Sequence, residues 1–230
     1  MRLLLLACLC SALLPACSSK TNEQKTDSSA IAEKTVTPAN DWLCIAGERA
    51  GVVLATSSEK ELIEQLGSAN VSPHDTIYGP EGMFTIGTIL YKGTPNEAHI
   101  WWKDTLNFAK PEGVEIGWVE AGNENKIEWH TNTGIKVGTT LVELEKINEK
   151  PFQFSGFGWD YGGAVVDWNG GKLMDKDGSS YLAVTLAYNY EDERLNSVAD
   201  KVLGDKTFSS KDPNAQKLNP FVSKIMVSFR

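Results

Sequence analysis

The sequence predicts an α+β fold: a mainly antiparallel sheet with about three short amphipathic helices. Three observations carry this. Short strand-like runs follow one another with Gly, Asn and Pro turns between them, as in meandering hairpins. Two Ser/Thr-x-x-Glu capping boxes each open a single helix between such strands. A chain of 230 residues that is 41% hydrophobic and 23% charged has ample material for a core. The same composition excludes a wholly disordered, collagen-like or disulfide-scaffold chain. A net charge of −8 argues against a nucleic-acid partner.

The chain divides into 1–16, 17–40 and 41–230. Residues 1–16 read as a signal peptide: Arg2 precedes an apolar run from Leu3 to Leu14, too short to span a bilayer. The run ends in Leu14-Pro15-Ala16-Cys17, which resembles the lipobox of bacterial lipoproteins. That resemblance implies diacylglyceryl transfer to the Cys17 thiol, cleavage before Cys17, and acylation of the new amino terminus with a chain such as palmitate. The alternative is a plain secretory signal cut after a small residue such as Ser18. Ser18, where an inner-membrane lipoprotein would carry Asp, implies the periplasmic face of the outer membrane in a two-membrane cell.

Residues 17–40 carry no aromatic side chain and read as a disordered, lipidated tether. As a coil it reaches roughly 25–30 Å. Loss of Arg2 with the signal leaves 21 basic and 30 acidic residues, a charge of −9. The expected membrane partner is therefore met through acyl chains and not through the acidic surface.

Within 41–230, Gly51–Ala55 reads as a strand, and Ser58-Glu-Lys-Glu61 caps a helix that presents Leu62, Ile63 and Leu66 and stops at Gly67. Phe84–Tyr91 and Ala98–Trp102 form a hairpin; Val114–Val119 and Ile127–Trp129 continue the series around the turn Gly122–Asn125. Gly134–Val137 then leads into a second box, Thr140-Leu-Val-Glu143, and a helix with Leu141, Leu144 and Ile147. Strands follow at Pro151–Phe154, Ala164–Trp168 and Tyr181–Tyr190, with a tight turn at Asn169–Gly171. Leu195, Val198, Ala199 and Val202 mark a third helix ended by Gly204, and Phe221–Phe229 closes the chain as a strand. The two early cap–helix stretches suggest two related strand–helix–strands units, with possible halves at 41–131 and 132–230.

The segment from Gly134 to Asn148, with Lys150-Pro-Phe152 and Gly156-Phe-Gly-Trp-Asp-Tyr-Gly-Gly163, resembles a family of uncharacterised exported bacterial lipoproteins; the resemblance implies no known activity. Each strand–Thr–Glu-Leu–helix unit is more loosely similar to the outer-membrane assembly lipoproteins and the β-lactamase-inhibitor proteins. That likeness implies a helix pair against an antiparallel sheet, and no functional residue is carried over from it.

No catalytic motif is present. His74, His99 and His130 lack metal-ligand spacing, and no Gly-x-Ser-x-Gly elbow occurs. Asp175-Lys-Asp-Gly178 fails the calcium-loop pattern, with Ser180 and Leu186 where Gly and a bidentate Glu are required. Cys44 sits among apolar neighbours, which predicts a buried, inert thiol. Of Trp101 and Trp102, one ring should face the core and the other be covered by a helix or exposed. In Phe154–Gly163 four glycines alternate with four aromatics, which suits either a bulged strand packing its rings or an aromatic shelf. Trp159, Asp160 and Tyr161 are the candidate ligand-binding residues of that shelf, with a sugar or cell-wall fragment as ligand. Neither a metal nor a cofactor is expected. The leading reading is a non-enzymatic envelope lipoprotein that binds another envelope protein or a cell-wall component. A carbohydrate-binding module and an unrecognised envelope enzyme are the alternatives.

Overall fold

Apolar–polar alternation is cleanest in the segments that pair into the largest sheet. The computed structural model describes residues 40–117, 126–174 and 180–230. The predicted signal peptide, Cys17, the tether up to residue 39, the turn Gly122–Asn125 and the acidic loop Asp175–Gly178 lie outside the described residues. In chain order the first elements are β1 (Leu43–Ile45), β2 (Arg49–Ala50), β3 (Val53–Leu54), α1 (Glu59–Leu66), β4 (Val71–Tyr78), β5 (Phe84–Leu90), β6 (Ala98–Asp104) and β7 (Ala109–Gly117). Then come β8 (His130–Thr131), α2 (Leu141–Asn148), β9 (Gln153–Ser155), β10 (Val165–Asp167) and β11 (Leu182–Ala187). The remainder is α3 (Asn196–Ala199), β12 (Thr207–Ser209), α4 (Pro213–Leu218) and β13 (Phe221–Ser228).

The fold is α+β, as predicted. Six strands form an antiparallel sheet in the order β11-β13-β7-β6-β5-β4. Two smaller sheets, β3-β2-β1-β8 and β10-β9-β12, flank it, and β1–β8 is parallel. One apolar cluster runs through both predicted halves, from Cys44, Leu62 and Ile100 to Trp129, Phe154, Val184 and Ile225. Each fully buried side chain of this size contributes about 1.5–3 kcal/mol.

Both capping boxes form as read. Ser58 Oγ accepts the Glu61 N–H while Glu61 Oε2 accepts the Ser58 N–H at 2.9 Å. Thr140 and Glu143 repeat the arrangement, also at 2.9 Å. The likeness of the two units is confined to these caps: β4 to β7 follow α1 into the large sheet, whereas β9 and β10 follow α2 into a small one.

Several local expectations are corrected. Gly51–Ala55 is a turn followed by the two-residue β3. Ile127–Trp129 and Gly134–Val137 are not strands, although Ile127, Trp129, Ile135 and Val137 are buried. Their apolar residues fill the core from irregular backbone whose hydrogen bonds go to local turns, such as Ile135 N–H to Thr131 Oγ1. The third helix is a single α-turn between 3-10 turns. Strand β4 and helix α4 were not expected.

Candidate functional site

The Phe154–Gly163 segment splits its aromatics between core and surface. Phe154 and Phe157 are buried and pack on each other at 5.7 Å between ring centroids, with Phe157 continuing onto Tyr188 at 5.2 Å. Trp159 and Tyr161 are exposed together, at 42% and 43%. Their rings meet edge to face, 5.3 Å apart and inclined by 60°, so they form a stepped pair and not a flat shelf. The loop is forced into this path by close backbone approach. Gly163 has φ +78°, and a Cβ there would lie 1.9 Å from the Leu186 carbonyl oxygen of β11.

One polar atom of the pair and the carboxylate between them are already bonded within the protein. The Trp159 indole N–H donates to Gly156 O at 2.8 Å. Asp160 Oδ2 accepts the backbone N–H of Glu81 at 3.2 Å. Glu81 sits in the Gly79–Met83 turn that joins β4 to β5 and has a left-handed φ of +57°. The three candidate residues are thus brought together, and a fourth element, the β4–β5 hairpin end, is tied to them.

That hairpin end is the part sequence reasoning missed. Phe84, Ile86, Thr88 and Leu90 alternate along one side of β5. Thr88 and Leu90 are fully buried, but Phe84 is 68% exposed and Ile86 also lies bare. On β4, Tyr78 pairs with Phe84 and Thr76 with Ile86, which places Tyr78, 74% exposed, on the same bare face. The opposite face is closed: Ile77 is buried, and its Cδ1 occupies the space above Gly87. So the core face of the large sheet runs beyond its cover and ends in exposed Tyr78, Met83, Phe84 and Ile86. Around the loop, Leu203 bridges to Phe157, and exposed Tyr190 stacks on Tyr188 at 4.1 Å. Burial raises the Tyr190 phenol above its ordinary value, with the neighbouring Tyr188 adding to the effect.

Trp102 faces the core and donates its indole N–H to Thr88 Oγ1 at 2.8 Å. Trp101 lies on the other side, opposite Gly113, and a Cβ placed on Gly79 of the hairpin turn would come 3.7 Å from its ring edge. The turn of the β4–β5 hairpin thus approaches the Trp101 ring.

Two histidines meet carboxylates. His74 Nε2 lies 3.0 Å from Glu59 Oε2, and His99 Nε2 lies 2.8 Å from Glu97 Oε1. Glu59 is buried and also accepts from Thr88 Oγ1 (2.6 Å) and the His74 N–H (3.1 Å), while the His74 ring stacks on Phe108. Among the described residues no serine, threonine or cysteine side chain hydrogen-bonds to an imidazole, and no group of three or more His, Cys, Asp or Glu could hold a metal ion. These pairs fasten strands and α1; the arrangement holds no nucleophile beside a base. Glu143 caps α2, and Glu145 binds Ser210 and Lys211. Cys44 is fully buried, and desolvation pushes its thiol up to about 12.

Among the described residues no helix is long and apolar enough to cross a membrane. In comparisons with known proteins, no family model, no curated protein and no solved structure matches this chain.

Proposed function

We propose that this chain is a cell-envelope lipoprotein that acts by binding and not by catalysis, held to its bilayer by acyl chains on Cys17. Support for the anchor comes from Leu14-Pro15-Ala16-Cys17 and the polar stretch after it. In a two-membrane cell, Ser18 favours the periplasmic face of the outer membrane. Its contact surface is the exposed aromatic loop together with the bare end of the β4–β5 hairpin.

One observation carries the binding reading. Trp159 and Tyr161 are exposed side by side, and the bond between Glu81 N–H and Asp160 joins them to Tyr78, Met83, Phe84 and Ile86. Such a run of large apolar side chains marks a contact site in a soluble domain. The occupied Trp159 indole N–H leaves the pair one donor fewer for holding a sugar beside its rings.

The test is photo-crosslinking in the producing cell, with benzoylphenylalanine in place of Phe84 and, as control, of Lys60 on the outer side of α1. Adducts from position 84 and not from 60 support the reading, and equal labelling at both overturns it. For the anchor, Cys17→Ser should release the protein from membranes and abolish palmitate incorporation; retention on membranes refutes it.

A further inference from the structure

Resting on that contact surface, we infer that its occupant is the lipid bilayer itself: the end of the β4–β5 hairpin enters the headgroup–acyl boundary, with Trp159 and Tyr161 beside it. Charge is the first argument. From Thr76 to Tyr91 the only charged residue is Glu81, in a chain where 23% of residues are charged. A strip so depleted in an acidic protein matches neither a cationic nor an anionic partner. It matches an apolar medium bounded by neutral headgroups.

The second argument is the state of the backbone. A water-poor layer demands that N–H groups be satisfied internally, which the turn meets, while β4, the edge strand of the sheet, keeps its outer edge among the hydrated headgroups. In the turn, Gly79 N–H bonds Met83 O at 2.7 Å and Met83 N–H bonds Pro80 O at 3.0 Å. Glu81 N–H bonds Asp160, and Pro80 has no N–H to satisfy. Side chains follow the same logic. Phe84, Met83 and Ile86 offer apolar bulk, while Tyr78, Tyr161 and Trp159 are amphipathic rings of the kind that collect at the headgroup level. The Glu81 carboxylate at the apex sets the depth, holding insertion to the interface.

Reach is the third. Asn40, where the described body begins, contacts Tyr91 just past the inner end of β5. Phe84 lies at the strand's other end, six residues and about 20 Å away. An extended chain covers up to about 3.3 Å per residue, so the stretch from the proposed anchor at Cys17 to Asn40 is long enough to let the hairpin touch the membrane that holds the acyl chains. One attachment by acyl chains and a second by the hairpin would fix the orientation of the body on the surface.

The experiment uses the mature acylated protein purified from membranes, carrying Met83→Cys or, as control, Lys60→Cys. Each is labelled with nitrobenzoxadiazole; Cys44, being fully buried, does not compete. In phosphatidylcholine vesicles the label at position 83 should shift to the blue, brighten at least twofold and be quenched by lipids spin-labelled near the headgroup. The label at 60 should stay as in water. A water-like label at 83 on protein that floats with the vesicles overturns the bilayer contact and leaves the anchor standing. A water-like label on protein that does not float overturns both. A shift that vanishes when the protein is diluted in lipid signals a second copy and overturns the inference. A protein adduct at position 84 in cells, with no shift in vesicles, keeps the contact surface and removes the bilayer as its occupant.

Discussion

The buried carboxylate of Glu59 lies 3.0 Å from the exposed imidazole of His74, and the same carboxylate receives the Thr88 hydroxyl at 2.6 Å. Thr88 in turn accepts the Trp102 indole N–H, so one hydroxyl serves two buried partners. Thr88→Val keeps the shape and leaves both partners short. It should lower the urea midpoint at unchanged m-value, by about 2–3 kcal/mol, while Thr88→Ser stays within about 1 kcal/mol. Equal loss for both variants would show that packing, not the hydroxyl, matters there.

Asp160→Ala removes the acceptor that holds Glu81 N–H. That bond is exposed, so stability should change by less than about 1 kcal/mol. Hydrogen exchange should instead report it locally, with faster exchange at Glu81 and no change in β13. Unchanged exchange at Glu81 would show that the hairpin end is held by other contacts.

Acid should weaken the fold through a few identified carboxylates. Arg49 hydrogen-bonds Asp41 with both terminal nitrogens, Lys92 hydrogen-bonds Asp75, and the Thr140 N–H bonds Glu143; each carboxyl is held below its ordinary value. Because these groups bind protons more readily when unfolded, their contribution is present above about pH 4 and is lost as pH falls through the lower folded values. Asp75→Asn should therefore narrow the gap between urea midpoints at pH 7 and pH 3.

Alkali acts in the same direction through different groups. The folded Cys44 thiol, pushed up to about 12, stays protonated where the unfolded thiol ionises above roughly pH 8.5. Stability should then fall by up to about 1.4 kcal/mol per pH unit from this group, with Tyr91, Tyr188 and Tyr190, all raised by burial, adding to the loss near pH 10. Cys44→Ala should remove the cysteine part of that slope, measured as urea midpoints between pH 8 and pH 10.

What could be read from the chain was local. The helices α1 and α2 announced themselves through reciprocal Ser/Thr–Glu caps, and β5, β6, β11 and β13 through period-two alternation. Strand β4 escaped because Pro73 and His74, the latter at φ +51°, break its register against β5 between Ser72 and Asp75. Helix α4 opens with Asp212 and Pro213, a good start signal, but spans only six residues. Ile135 and Val137 carry the apolar spacing of a strand yet are buried from a turn, since burial and pairing are separate demands. At the site, the composition of Phe154–Gly163 singled out Trp159, Asp160 and Tyr161. Nothing local marked Phe84 and Ile86 as bare, because their exposure depends on which elements pack over that end of the sheet, and that is decided by long-range packing.

Strand β13 is threaded between β11 and β7, one place in from the edge of the large sheet. The sheet therefore joins β11 to the four strands that precede it in the chain only through β13, and a chain cut before Phe221 would leave β11 detached from them.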